Sequence, residues 1–204
     1  MKKQVIFIRG GETFANEEDF YKYISTVDLD FFNQRRTWRD WIIWALSETH
    51  DILVPHMPCK DNADYKAWKI LFDRYLDFIK DESPILVGNS LGSTFLLKYL
   101  SENGFPKKIS QLHLVAPVVT DEGSTLYLEK LSTFAFDVSG LSKISDICDN
   151  IHLWHSEDDP AVNFKNSEIV KEKLSKANLH VFKNRGHFGQ PSFIELLESI
   201  NKAN

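Results

Sequence analysis

The sequence predicts an α/β fold with about six parallel strands in one sheet and helices on both faces. Three observations carry this. Six short runs dense in β-branched and aromatic residues recur along the chain, separated by stretches at helical spacing. The runs are apolar, as strands covered on both faces of a parallel sheet are. No repeat, low-complexity tract or linker breaks the alternation, so residues 1–204 read as one domain.

Gln4 to Ile8 reads as the first buried strand, ending at Arg9-Gly10-Gly11-Glu12-Thr13. Phe14 to Asn33 is long, aromatic and acidic, with Phe20, Tyr21, Tyr23 and the pair Phe31-Phe32. Long segments of this kind are often binding loops, and part of it reads equally as a short helix. Thr37 to Leu46 is helical, with Trp38, Trp41, Ile42 and Ala45 on one face. These tryptophans read as core. Asp51 to Val54 is the second strand, closed by Pro55 and Pro58, and Asn62 is placed to cap a helix running to about Lys80.

Ile85 to Val87 enters the third strand, which runs into Gly88-Asn89-Ser90-Leu91-Gly92 and then a Leu-rich helix ending near Asn103-Gly104. Ile109 to Val115 is the fourth strand, stopped by Ala116-Pro117. Thr120 to Cys148 is weakly patterned, with helical candidates at Tyr127–Phe136 and Leu141–Ile147. Asn150 to His155 and Leu179 to Phe182 are the last strands, with a helix over Phe164–Ser175 between them. Ser192 and Glu195 are spaced as a capping box opening the final helix.

Composition narrows the function classes. A net charge of −5 gives no electrostatic footprint for nucleic acid. The pairs Arg35-Arg36 and Lys107-Lys108 are too short to supply one. Cys59 and Cys148 are far apart and match no disulfide or metal spacing. The apolar run Val5–Ile8 is too short for a signal-peptide core or a membrane span, so a cytoplasmic protein is expected. No H-E-x-x-H, P-loop or dinucleotide fingerprint is present, and no cofactor or metal is expected.

The chemistry centres on Ser90. A strand, then Gly-x-Ser-x-Gly, then a helix lifts a serine hydroxyl clear of the backbone at a sharp turn. Serine needs a base to take its proton, and the base needs an orienting acid. In this architecture both follow on loops at the carboxyl ends of later strands. Ser156-Glu157-Asp158-Asp159-Pro160-Ala161-Val162 supplies the acid, and Gly186-His187-Phe188 supplies the base. Of seven histidines, His187 alone sits on a turn after the final strand. Asp159 is favoured over Glu157 and Asp158, because Pro160 fixes the chain direction after it and Val162 can anchor the loop. An oxyanion hole would use the Leu91 amide and the Gly11 amide, with Glu12 in reserve.

These three motifs together resemble the α/β-hydrolase superfamily, and within it the small serine hydrolases typified by retinoblastoma-binding protein 9. The resemblance implies a three-layer fold with strand order 2-1-3-4-5-6 and no large lid. It also implies a triad of Ser90, Asp159 and His187. Two positions depart from the pattern: Arg9-Gly10 stands where His-Gly or Pro-Gly is usual, and Asn89 where His is common. The activity implied is acyl transfer to water from a small-molecule ester, thioester or amide, the nearby aromatics favouring an apolar or aromatic group. A catalytically silent protein-binding module on the same fold is the competing class, although no protein partner is indicated. Ile8-Arg9-Gly10-Gly11-Glu12-Thr13 also resembles the opening signature of histidine phosphatases, but Gly10 occupies the position of their phosphoryl-accepting histidine.

Overall fold

The computed structural model describes residues 2–28, 36–120 and 131–202. Its centre is a six-stranded parallel sheet in the order β2-β1-β3-β4-β5-β6. The strands are β1 (Lys3–Ile8), β2 (His50–Leu53), β3 (Ile85–Asn89), β4 (Gln111–Val115), β5 (Ile151–Ser156) and β6 (Asn178–Phe182). Because side chains alternate across a strand, one sequence run feeds two cores. Val5, Phe7, Ile85 and Val87 pack with Trp38, Ile42 and Leu46 of α2 (Trp38–Leu46) and with Leu196 and Ile200 of α6 (Ile194–Asn201). Ile6, Ile8 and Leu86 face the other way, toward α3 (Tyr65–Tyr75), α4 (Leu91–Asn103) and α5 (Lys165–Lys173). This is the three-layer α/β-hydrolase architecture with the expected strand order.

Several boundaries shift, each for a tertiary reason. The helix expected to start at Asn62 begins at Tyr65, with Asp64 Oδ1 accepting from the Ala67 amide at 2.9 Å. Residues 60–63 are held by Glu12 instead: its amide donates to Lys60 O and its carbonyl accepts from Ala63 N, both at 2.7 Å. α3 stops at Tyr75 and tightens into a 3₁₀ turn over Leu76–Phe78. The capping box at Ser192 does not form. Phe193 is the residue before α6, in a non-helical conformation, and no side chain caps the helix. The Phe193 ring is fully buried against Trp38, Trp154, Phe182 and Phe188. Burying such a ring is worth about 3–5 kcal/mol, against about 1 kcal/mol for a cap, so packing wins.

Within the Phe14–Asn33 segment, α1 (Glu17–Thr26) is a true helix, capped by Asn16 Oδ1 accepting from Asp19 N at 2.9 Å. Residues 29–33, including Phe31-Phe32, lie outside the described residues, as does Arg35. The candidate helix at Tyr127–Phe136 falls mostly outside them too; a 3₁₀ turn at Ser132–Phe134 is what is described there. The Leu141–Ile147 candidate lies within a 3₁₀ stretch over Val138–Asp146. On α2 the buried residues are Trp38, Ile42 and Leu46, while Trp44 is exposed. No helix among the described residues is long and apolar enough to cross a membrane.

Candidate active site

The carboxyl ends of β1, β3, β5 and β6 meet at one rim of the sheet, and the candidate residues sit on the loops that leave them. Ser90 bridges β3 and α4 with φ 53° and ψ −126°, a conformation that costs a non-glycine residue about 1–3 kcal/mol. The surroundings hold it there. The Ser90 amide donates to Val115 O at 2.7 Å, and Ser93 Oγ donates to the same carbonyl at 3.0 Å. Close approach needs the flanking glycines. A methyl group at Gly92 would lie 2.2 Å from the Ile8 carbonyl oxygen, and one at Gly88 would lie 2.6 Å from Ser93 Cα. The strained turn thus lets β1 pass directly behind the serine.

His187 is held between two residues in the left-handed region, Gly186 (φ 50°) and Phe188 (φ 52°). The Phe188 ring is fully buried against Phe182 and Phe193, which anchors the loop. His187 Nδ1 meets Asp159 Oδ2 at 2.8 Å. A carboxylate accepts this bond, so Nδ1 carries the proton, and in the neutral ring the lone pair is on Nε2. Asp159 is the acid brought to the imidazole. Asp158 binds elsewhere: its Oδ1 accepts from Ser156 Oγ at 2.5 Å and from Gly186 N at 3.0 Å, tying the two loops together.

The Asp159 side chain is fully buried, yet its charge is well supported. Burial pushes its pKa up, but hydrogen bonds from His155 and His187, the His187 charge and the Val162 amide more than offset it. The carboxyl is held well below its usual range. Asp159 Oδ1 accepts from the Ala161 and Val162 amides at 2.8 and 2.9 Å. His155 Nε2 lies 3.0 Å from Val162 O and 3.5 Å from Asp159 Oδ2, and Ser167 Oγ sits 2.7 Å from its Nδ1. Val162 therefore braces the acid twice, by its amide directly and by its carbonyl through His155. The sequence marks His155 only as a strand end; its place four residues before Asp159 is the signal for this role.

Ser90 and His187 both line a cleft of about 880 Å³. Among the described residues no hydrogen bond joins them, as is common before substrate draws such a pair together. Gly11 and Glu12 also line the cleft, but the Glu12 amide is already given to Lys60 O, which removes it as an oxyanion donor. The Gly11 and Leu91 amides donate to no described residue. The rest of the lining corrects the expectation of an aromatic wall. It includes Ile43, Val54, Pro55, His56 and Met57 together with Arg9, Arg39, Glu12, Lys60 and Asp61, with no Phe, Tyr or Trp among the described residues. Cys59 is free and exposed at its edge, and Cys148 is free and buried.

Burial raises the Glu12 carboxyl pKa, with the His187 charge opposing. The Tyr23 pKa, on α1, is raised first by burial and then by the Glu12 charge. Arg39 was not singled out by any motif, but its Nε donates to Asn89 Oδ1 at 2.6 Å, next to the serine. No group of three His, Cys, Asp or Glu side chains among the described residues could hold a metal ion.

The serine hydrolase family model matches residues 33–202. The chain is 27% identical over 165 residues to serine hydrolase RBBP9 of Rattus norvegicus, covering 80% of this chain and 84% of that protein. In fold it is similar to the ydeN gene product of B. subtilis, with a TM-score of 0.74 and 19% identity over 99% of this chain and 98% of that one. It is also similar to an esterase domain from a Rhodothermus marinus protein, with a TM-score of 0.63 and 13% identity over 98% and 86% of the two chains. Since the family match runs through most of its length, this chain belongs to the serine hydrolases.

Proposed function

We propose that the protein is an acyl hydrolase acting on small-molecule esters through Ser90, His187 and Asp159. The observation that carries this reading is the 2.8 Å bond between His187 Nδ1 and the buried Asp159, on loops that face the same cleft as the strained Ser90. His187 Nε2 takes the proton of the Ser90 hydroxyl as its oxygen attacks the acyl carbon. Asp159 keeps the imidazole in the required tautomer and stabilises the imidazolium that forms. The Leu91 and Gly11 amides receive the tetrahedral oxyanion, aided by the N-terminal end of α4. His187 then returns the proton to the leaving group, and a water activated by the same imidazole releases the acyl chain from Ser90.

An ester is preferred over an amide because an alkoxide or phenoxide leaves with less assistance than an amine. The test is turnover of a p-nitrophenyl ester by wild type and Ser90→Ala. The variant should keep the same melting temperature and lose turnover to the buffer rate; undiminished turnover would refute the role of Ser90.

A further inference from the structure

Among the described residues, Arg39 stands in the cleft as a cation with no ion pair. Of the other cations that line it, Arg9 Nη2 is bonded to Asp40 Oδ1 at 2.7 Å, and Lys60 is paired with Asp61. Arg39 spends its Nε on the neutral Asn89 side chain and stacks its guanidinium 5.4 Å from the Trp38 ring centre. Its remaining N–H groups donate to no described residue. Two further donors of this wall, Arg9 Nε and Asn89 Nδ2, are buried and lack an acceptor among the described residues. Burial, then the neighbouring Arg9, disfavours the Arg39 charge, and Asp40 opposes them only as the smallest contribution.

A half-buried cation and orphaned buried donors are costly unless something answers them. Glu12 does not: it faces His187, Lys60 and Asp61, and burial biases its carboxyl toward the neutral form. A bound anion would supply both the counter-charge and the missing acceptors. Arg is the side chain best shaped for this, since its planar fork meets a carboxylate with two parallel bonds.

Resting on the hydrolase reading above, we propose that the substrate is an ester carrying a carboxylate, which Arg39 binds next to the Ser90 elbow. Arg39 binds substrate and takes no part in proton transfer. The carboxylate can belong to the acyl chain or to the leaving group. The two probe pairs below separate those sources.

The acyl pair is mono-p-nitrophenyl adipate and its neutral adipamide counterpart. The leaving-group pair is 4-butyryloxy-3-nitrobenzoate and 4-butyryloxy-3-nitrobenzamide. In at least one pair the wild-type enzyme should prefer the anion by about tenfold in kcat/KM, chiefly through KM, with the preference shrinking in high salt. Arg39→Gln should bring that ratio close to one, and Arg39→Lys should keep part of it. Equal or better turnover of the neutral member in both pairs would overturn the proposal, as would a ratio unchanged in folded Arg39→Gln. The wild-type ratios and their salt dependence decide the matter even if the variant fails to fold. Failure to turn over any of the four probes contradicts the hydrolase reading and takes this inference with it. Turnover without anion preference overturns this inference alone.

Discussion

Asp158 and Asp159 are adjacent, identical in chemistry and different in what they touch. Asp159 is buried under His187 and braced by two amides, whereas Asp158 links the Ser156 hydroxyl to the Gly186 amide. Their variants should therefore part company. Asp159→Asn should lower kcat on an aryl ester by roughly 10⁴-fold with the fold intact, because an amide favours the wrong imidazole tautomer. Asp158→Asn should cost less than about tenfold in kcat and act through loop order, read as a small drop in melting temperature. Equal losses in kcat would put the acid assignment in error. The sequence limits the acid to one turn, but the bonding partners that separate Asp158 from Asp159 are each 28 positions away, Gly186 for the first and His187 for the second.

At the level of elements, the elbow and the His187 loop are both strained turns held by packing. Gly92→Ala would drive a methyl group into the Ile8 and Arg9 carbonyls, at 2.2 and 2.6 Å, and backbone there has little room to yield. That variant should be destabilised by about 1–3 kcal/mol or more in chemical denaturation, and its kcat should fall as Ser90 shifts. Phe188→Ala removes a buried ring next to His187. It should cost about 3–5 kcal/mol in stability and lower kcat in whatever fraction remains folded. The strands and α4 are legible in the sequence because burial on both faces writes a continuous apolar run. Helix starts are less so. Asn62 and Ser192 have the right chemistry for caps, but the pairing of residues 60–63 with Glu12 and the burial of Phe193 move the true starts. Contacts from distant chain segments decide those ends, and local sequence carries no trace of them.

Across the whole molecule, the sheet does more than array the loops. His113, His152 and His180 stack across β4, β5 and β6, with ring centres 4.8 and 5.2 Å apart, and Trp154 lies 3.8 Å from His180. Trp154 Nε1 donates to His113 Nδ1 at 3.3 Å, so His113 is neutral and its Nε2–H is given to Gln111 Oε1 at 2.6 Å. All three pKa values are lowered, chiefly by burial, His152 to about 4 from an ordinary 6.5. The folded state thus refuses protons that the unfolded chain accepts between these values. The stability held by His152 is complete above about pH 6.5 and is lost as pH falls toward 4. Melting temperature should drop from about pH 7 to about pH 5, and His152→Gln should flatten that slope. An unchanged slope would contradict the assignment.

At this scale the fold class is legible in six apolar runs alternating with helices, and the strand order in the resemblance that the three motifs carry. The three loops carrying Ser90, Asp159 and His187 were legible too, because each bears its own motif. The cleft wall was not. Arg39 comes from a helix with no motif of its own and reaches the site only because α2 packs on β1 and β3. The most direct test of the catalytic claim is reaction with a fluorophosphonate probe followed by peptide mapping. Wild type should carry one phosphonyl group, on Ser90, and His187→Ala should label far more slowly. Failure of the folded wild-type protein to label, or a label on any other residue, would contradict it.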